Sequence, residues 1–208
     1  MAKMRVEASK ATGFETVSTV YWLQGVTIAW MLAECGLSLY AAWRAGSVAL
    51  FTFGGDSLIE LLSAAVVLFS VLPSFPVSRA RAARWAGMLL FGLAAAIAVT
   101  AVAALVRGAQ PEPSCLGIGV SAAALIVMPV LAWWKRRTAR AIGSPALAAD
   151  AVQSATCAYL AGITLVSLAM NALLRIRWID PVGALVALPV LIVEGRRALR
   201  GDVCTCCC

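Results

Sequence analysis

The chain has 208 residues, 62% of them hydrophobic and only 13% charged, with a mean hydropathy of +0.90. A soluble core of this length cannot hide so many apolar side chains behind so little polar surface, which excludes an ordinary soluble domain. The net charge of +7 does not mark a nucleic-acid binder, because Lys and Arg cluster between apolar runs and read there as topology signals.

The opening residues, MAKMRVEASK, lack an apolar run followed by a small-residue cleavage site, so no cleaved signal peptide is expected. Apolar stretches then fall near 18–42, 47–72, 85–106, 115–134, 145–174 and 178–195. Each can cross a hydrocarbon core of roughly 30 Å as a helix, and the long fifth can tilt or extend beyond the bilayer. Breakers separate them at Arg44 to Gly46, Pro73 and Pro76, Gly108 to Pro113, and Gly143 to Pro145. Ser144 followed by Pro145 suits the N-cap and first position of the fifth helix. These elements predict an all-α membrane protein, a six-transmembrane-helix bundle over 18–196. A cytoplasmic N-terminal tail, 1–17, and a Cys-rich cytoplasmic tail, 197–208, flank it.

Positive charges alternate unequally between the two sides. Thirteen fall on one side, at Lys3, Arg5, Lys10, Arg79, Arg81, Arg84, Lys135, Arg136, Arg137, Arg140, Arg196, Arg197 and Arg200. The other side holds four: Arg44, Arg107, Arg175 and Arg177. The positive-inside rule then puts both termini in the cytoplasm, as for a protein of a bacterial inner (plasma) membrane. Trp43, Trp85, Trp133, Trp134 and Trp178 sit near the predicted helix ends as interfacial anchors.

Four acids fall inside the spans and away from their ends: Glu34, Asp56, Glu60 and Asp150. A carboxylate at mid-bilayer costs roughly 2.5–3.5 kcal/mol even on the lenient insertion scale. No Lys or Arg lies within the central portions of the spans to neutralise them, so the expected partner of these acids is a bound cation or a proton. Asp56 and Glu60 stack one turn apart, roughly 5–6 Å at Cβ, and two like charges so close in a low dielectric cannot both stay ionised cheaply. The pair therefore reads as an exchanger that trades a divalent cation for protons; the plainer alternative is a pair hydrogen-bonded to neighbouring helices. On the fifth helix Asp150, Gln153 and Cys157 follow at i, i+3 and i+7 on one face. Cys157 offers a soft ligand and Gln153 a neutral oxygen, although each residue type is also ordinary in helix packing. Asp150 also suits a solvated or capping position near the cytoplasmic end. Glu34 suits a proton relay or second-sphere acceptor, or a bond to a neighbouring helix. The chain holds no histidine, so the commonest neutral metal ligand is missing.

The stretch GSVALFTFGGDSLIE (46–60) resembles the second helix of cation diffusion facilitators, where D/H-S-x-x-D carries two metal ligands. SPALAADAVQSATC (144–157) resembles their S-P-A-L-x-A-D-A-x-H-x-x-S-D, and DPVGAL (180–185) their sixth-helix opening. The resemblance implies a six-helix bundle whose helices one, two, four and five enclose the site. It also implies homodimers that export Zn²⁺ or related divalent ions against protons by alternating access. The implied ligands fall on Asp56, Glu60, Gln153 and Cys157, with Gln and Cys where the family has His and Asp. A thiol there leans toward Cd²⁺ and other thiophilic ions, or else the site has decayed. The family's cytoplasmic ferredoxin-like domain is expected to be absent.

The sequence ends in Cys204, Thr205, Cys206, Cys207 and Cys208. Reduced thiols on the cytoplasmic side bind soft cations, which makes the tail a candidate for metal capture; lipidation or an inert end are the alternatives. The expected function is efflux of a divalent, thiophilic heavy-metal cation such as Zn²⁺ or Cd²⁺ by metal/proton antiport. The protein is expected to be a secondary transporter rather than an enzyme, with no permanent cofactor and no nucleic-acid partner. The alternative is a non-transporting membrane metal-binding or sensor protein on a degenerate cation-efflux frame.

Overall fold

The computed structural model describes residues 2–71, 79–176 and 178–200, with side chains from Thr19 onward except at 63, 66–71, 79–83 and 145–146. All regular structure among them is helical: α1 (Ala2–Ala45), α2 (Val48–Val71), α3 (Arg79–Arg107), α4 (Cys115–Ile142), α5 (Pro145–Leu174) and α6 (Ile179–Arg200). Four stretches are long and apolar enough to cross a membrane: Thr19–Ala45, Arg84–Arg107, Cys115–Ile142 and Leu147–Leu174. α2 is a 24-residue apolar helix interrupted by Asp56 and Glu60. α6 carries Asp180 in its first turn and Glu194, Arg196, Arg197 and Arg200 toward its end.

The helix ends follow local chemistry. Ser144 caps α5, its hydroxyl accepting from the Leu147 amide with proline at the start of the helix, as the sequence predicts. Ser114 does the same for α4, accepting from the Gly117 amide at 3.0 Å. α4 closes on Gly143 in the left-handed region, at φ 61°, where glycine carries no side-chain penalty.

The cap of α2 comes from far away in sequence. Asp180 accepts from the Ser47 hydroxyl and from the amides of Val48 and Ala49, the Val48 bond being 2.8 Å. A fully buried carboxylate thus satisfies the first amides of α2 and ties the start of α6 to it.

The helices associate chiefly as the pairs α1 with α2, α3 with α6, and α4 with α5, with α2 also packing on α3 and α5. The α3–α6 contact is a close backbone approach: a Cβ on Gly87 would meet the Gly195 carbonyl oxygen at 2.9 Å. Where α5 meets α6, Gly183 lies directly against the Ser167 side chain. Phe53, Met31, Ile97, Met128, Leu160 and Leu191 fill the centre of the bundle. The large side chains left on the outside, among them Trp22, Trp43, Leu173 and Val106, are apolar, as a hydrocarbon solvent requires.

Candidate functional site

The buried stripe of α1 runs Val20, Leu23, Gln24, Thr27, Met31, Glu34, Ser38 and Ala41, a helical repeat in which polar groups replace apolar ones. On α2 the matching stripe is Ala49, Phe53, Asp56, Ser57, Glu60 and Ala64. α5 contributes Asp150, Ser154 and Cys157, also buried. These three faces, with α4, enclose one polar interior.

Toward its centre, Glu34 accepts from the Trp30 indole and from the Ser57 hydroxyl, the latter at 2.6 Å. The Cys157 thiol also points at Glu34, with Sγ 3.3 Å from Oε1. Glu34 therefore joins Cys157 directly, which raises it from a peripheral candidate to a member of the cluster. Asp56 is buried beside them, with the carboxylates of Glu60, Glu194 and Glu34 within Coulombic reach.

One turn along α2, Glu60 meets a partner that the sequence reading excluded. Lys135 is completely buried, its ammonium 3.6 Å from Glu60 and 3.1 Å from Asp150. The same ammonium donates to Ser154 Oγ at 2.7 Å, and Ser154 in turn donates to Glu60 Oε1. Gln24 completes the arrangement by donating to Asp150 Oδ2 at 2.9 Å. The expectation that no lysine or arginine neutralises the intramembrane acids is thus corrected. So is the solvated or capping role considered for Asp150, because that carboxylate is buried between Lys135 and Gln24.

The reason is helical continuity. α4 continues through Lys135-Arg136-Arg137 to Ile142 instead of ending near 134. Its buried stripe Met128, Leu131, Ala132, Lys135, Thr138 and Ala139 carries Lys135 inward while Arg136, Arg137 and Arg140 stay outside. Arg137 lies over the Trp133 ring, 5.6 Å from its centre. A test of this periodicity across the basic run would have flagged Lys135.

Gln153 is half-buried, and no hydrogen bond joins it to the other described residues. Its neighbour Ser154 takes the inward position; the i, i+4, i+7 pattern of Asp150, Ser154 and Cys157 fits one face as well as the pattern through Gln153 does. Among the described residues no three His, Cys, Asp or Glu side chains converge closely enough to hold a metal ion. Six buried oxygens among the described residues nevertheless lack a partner: Gln24 Oε1, Ser38 Oγ, Asp56 Oδ2, Glu60 Oε2, Ser121 Oγ and Asp150 Oδ1. The four on Gln24 and the three acids can only accept when the acids are ionised, so around these carboxylates what is missing is donors or cations. Cys204, Cys206, Cys207 and Cys208 lie outside the described residues.

The family profile described as the cation efflux transmembrane domain matches residues 82–203. That match spans α3 to α6 and includes Lys135, Asp150, Gln153 and Cys157; it does not reach Asp56 and Glu60. No curated protein matches the chain. With more than half of its length matched by that profile, the chain belongs to the cation efflux family and is an integral membrane protein of a metal-cation transporter family.

Proposed function

We propose that this protein exports a divalent, thiophilic metal cation such as Zn²⁺ or Cd²⁺ in exchange for protons. The observation that carries the reading is the pair on α2: Asp56 and Glu60, one turn apart and buried, each leave one carboxylate oxygen without a partner. In a low dielectric such oxygens call for a cation or a proton, and two acids that compete for both form an exchanger. Asp56, Glu60 and Cys157 supply the ligands once they draw together around the ion, with Glu34 accepting the proton that the Cys157 thiol gives up on binding the metal. Gln153 ligates or orients the ion only after a rearrangement that turns it inward, and Asp150 stays close by. The thiol favours soft ions over the hard Mg²⁺ and Ca²⁺. Alternating access, a homodimer and capture of metal by the cysteine tail complete the proposal.

One observation favours a second reading, in which the protein binds metal without moving it. Lys135 already neutralises Glu60 and Asp150, so the charge vacancy of a transporter is partly filled. Proteoliposomes loaded with a pH indicator separate the two. Zn²⁺- or Cd²⁺-driven proton flux that disappears in Asp56→Ala supports export; metal binding with no flux in the wild type supports the second reading.

A further inference from the structure

Lys135 has no part in the exchange just described, yet it is the one cation that the described residues place inside the polar interior. Its ammonium lies between two carboxylates on different helices, Glu60 on α2 and Asp150 on α5, with neither acid nor the lysine exposed. The two attachments differ. To Asp150 the contact is direct at 3.1 Å, and Gln24 fixes that carboxylate from the far side. To Glu60 the ammonium is 3.6 Å away, and Ser154 bridges the two. A lysine is a flexible point charge on a four-carbon stem, suited to shifting between acceptors without moving its helix.

We propose that Lys135 is a tethered counter-cation: it occupies Glu60 and Asp150 when no metal is present, and must withdraw onto Asp150 before Glu60 can ligate a divalent ion. This rests on the reading of Glu60 as a metal ligand. A fixed positive charge beside that carboxylate opposes a second cation whichever oxygen the metal takes, so Lys135 sets the affinity of the site. It also offsets part of the negative charge that the empty interior would otherwise carry at Glu60 and Asp150. Asp150, held by Gln24, is then the resting acceptor that lets the lysine release Glu60 without becoming an unpaired buried charge.

The test is Cd²⁺ and Zn²⁺ binding by titration calorimetry on the full chain in detergent, comparing wild type, Lys135→Met and Lys135→Arg. Lys135→Met should bind at least about tenfold more tightly, because a like charge close to the ion has been removed, while Lys135→Arg should gain nothing. If Lys135→Met does not purify as a folded protein, Lys135→Met/Asp150→Asn removes one charge of each sign and should show the same tightening. A merely structural lysine would give the opposite result, weaker binding on its loss. Unchanged or weaker binding in a folded variant, or no binding by any of the proteins, overturns the proposal. Wild-type flux in proteoliposomes reads the export function separately. Flux with no tightening overturns the counter-cation and leaves export standing; tightening without wild-type flux supports the counter-cation and overturns export.

Discussion

Lys135 on α4 and Asp150 on α5 hold their charged groups 3.1 Å apart with neither side chain exposed. Removing the acid leaves a buried ammonium with Glu60 as its remaining carboxylate, farther away at 3.6 Å. Asp150→Ala should therefore destabilise the bundle by about 3–5 kcal/mol, the usual penalty for breaking a buried pair from one side. Thermal unfolding in detergent measures it; a loss no larger than that of the exposed Arg140→Ala would refute a stabilising role for the pair.

Asp180 caps α2 through three donors while sitting on α6. Asp180→Ala leaves two amides and the Ser47 hydroxyl without their acceptor, and should cost about 2 kcal/mol or more. Because the contact joins α2 to α6, amide exchange should rise at Val48 and Ala49 and leave the Ser144-capped start of α5 unchanged. Equal exchange at both helix starts would argue against a local cap.

A Cβ at Gly183 would fall 1.9 Å from Ser167 Oγ and 2.9 Å from its Cβ. Rotating the hydroxyl removes only the first overlap, so Gly183→Ala should destabilise by about 1–3 kcal/mol. Ser167→Gly removes both overlaps and should rescue it, with a favourable coupling in the double-mutant cycle. Additive losses would mean that the two helices separate without strain.

Cys157 is buried with its thiol 3.3 Å from Glu34. Replacing this soft ligand by a hard one in Cys157→Asp should shift the preference of transport or binding from Cd²⁺ toward Zn²⁺, by about an order of magnitude in their ratio. A metal panel in proteoliposomes reads the ratio directly, and an identical profile would count against Cys157 as a ligand.

Deleting residues 204–208 should reduce metal uptake by vesicles at low metal concentration, where capture limits the rate, and leave uptake at saturating metal unchanged. Equal uptake at both concentrations would remove the tail from the pathway.

Much of this architecture is legible in the sequence because it is local. Apolar runs and their breakers mark the helices: the stretches predicted at 85–106 and 145–174 correspond to α3 (Arg79–Arg107) and α5 (Pro145–Leu174). Ser144 and Pro145 announce the start of α5 through bonds that reach only three residues. The stacking of Asp56 on Glu60 follows from the helical repeat alone. The acids' partners are another matter. Lys135 belongs to a basic run that reads as a loop, and it turns inward only because α4 continues and packs its stripe against α5. Spacing permits either Gln153 or Ser154 to face the interior, and helix rotation in the bundle selects Ser154. Gln24 and Asp180 act across more than a hundred residues, on Asp150 and on the start of α2. The sequence by itself determined that buried acids would need positive charge or protons; only the packing of α4 beside α5 and α2 decided that a lysine supplies part of that charge. Helical periodicity is a property of one segment, whereas an ion pair between helices depends on their relative rotation and depth.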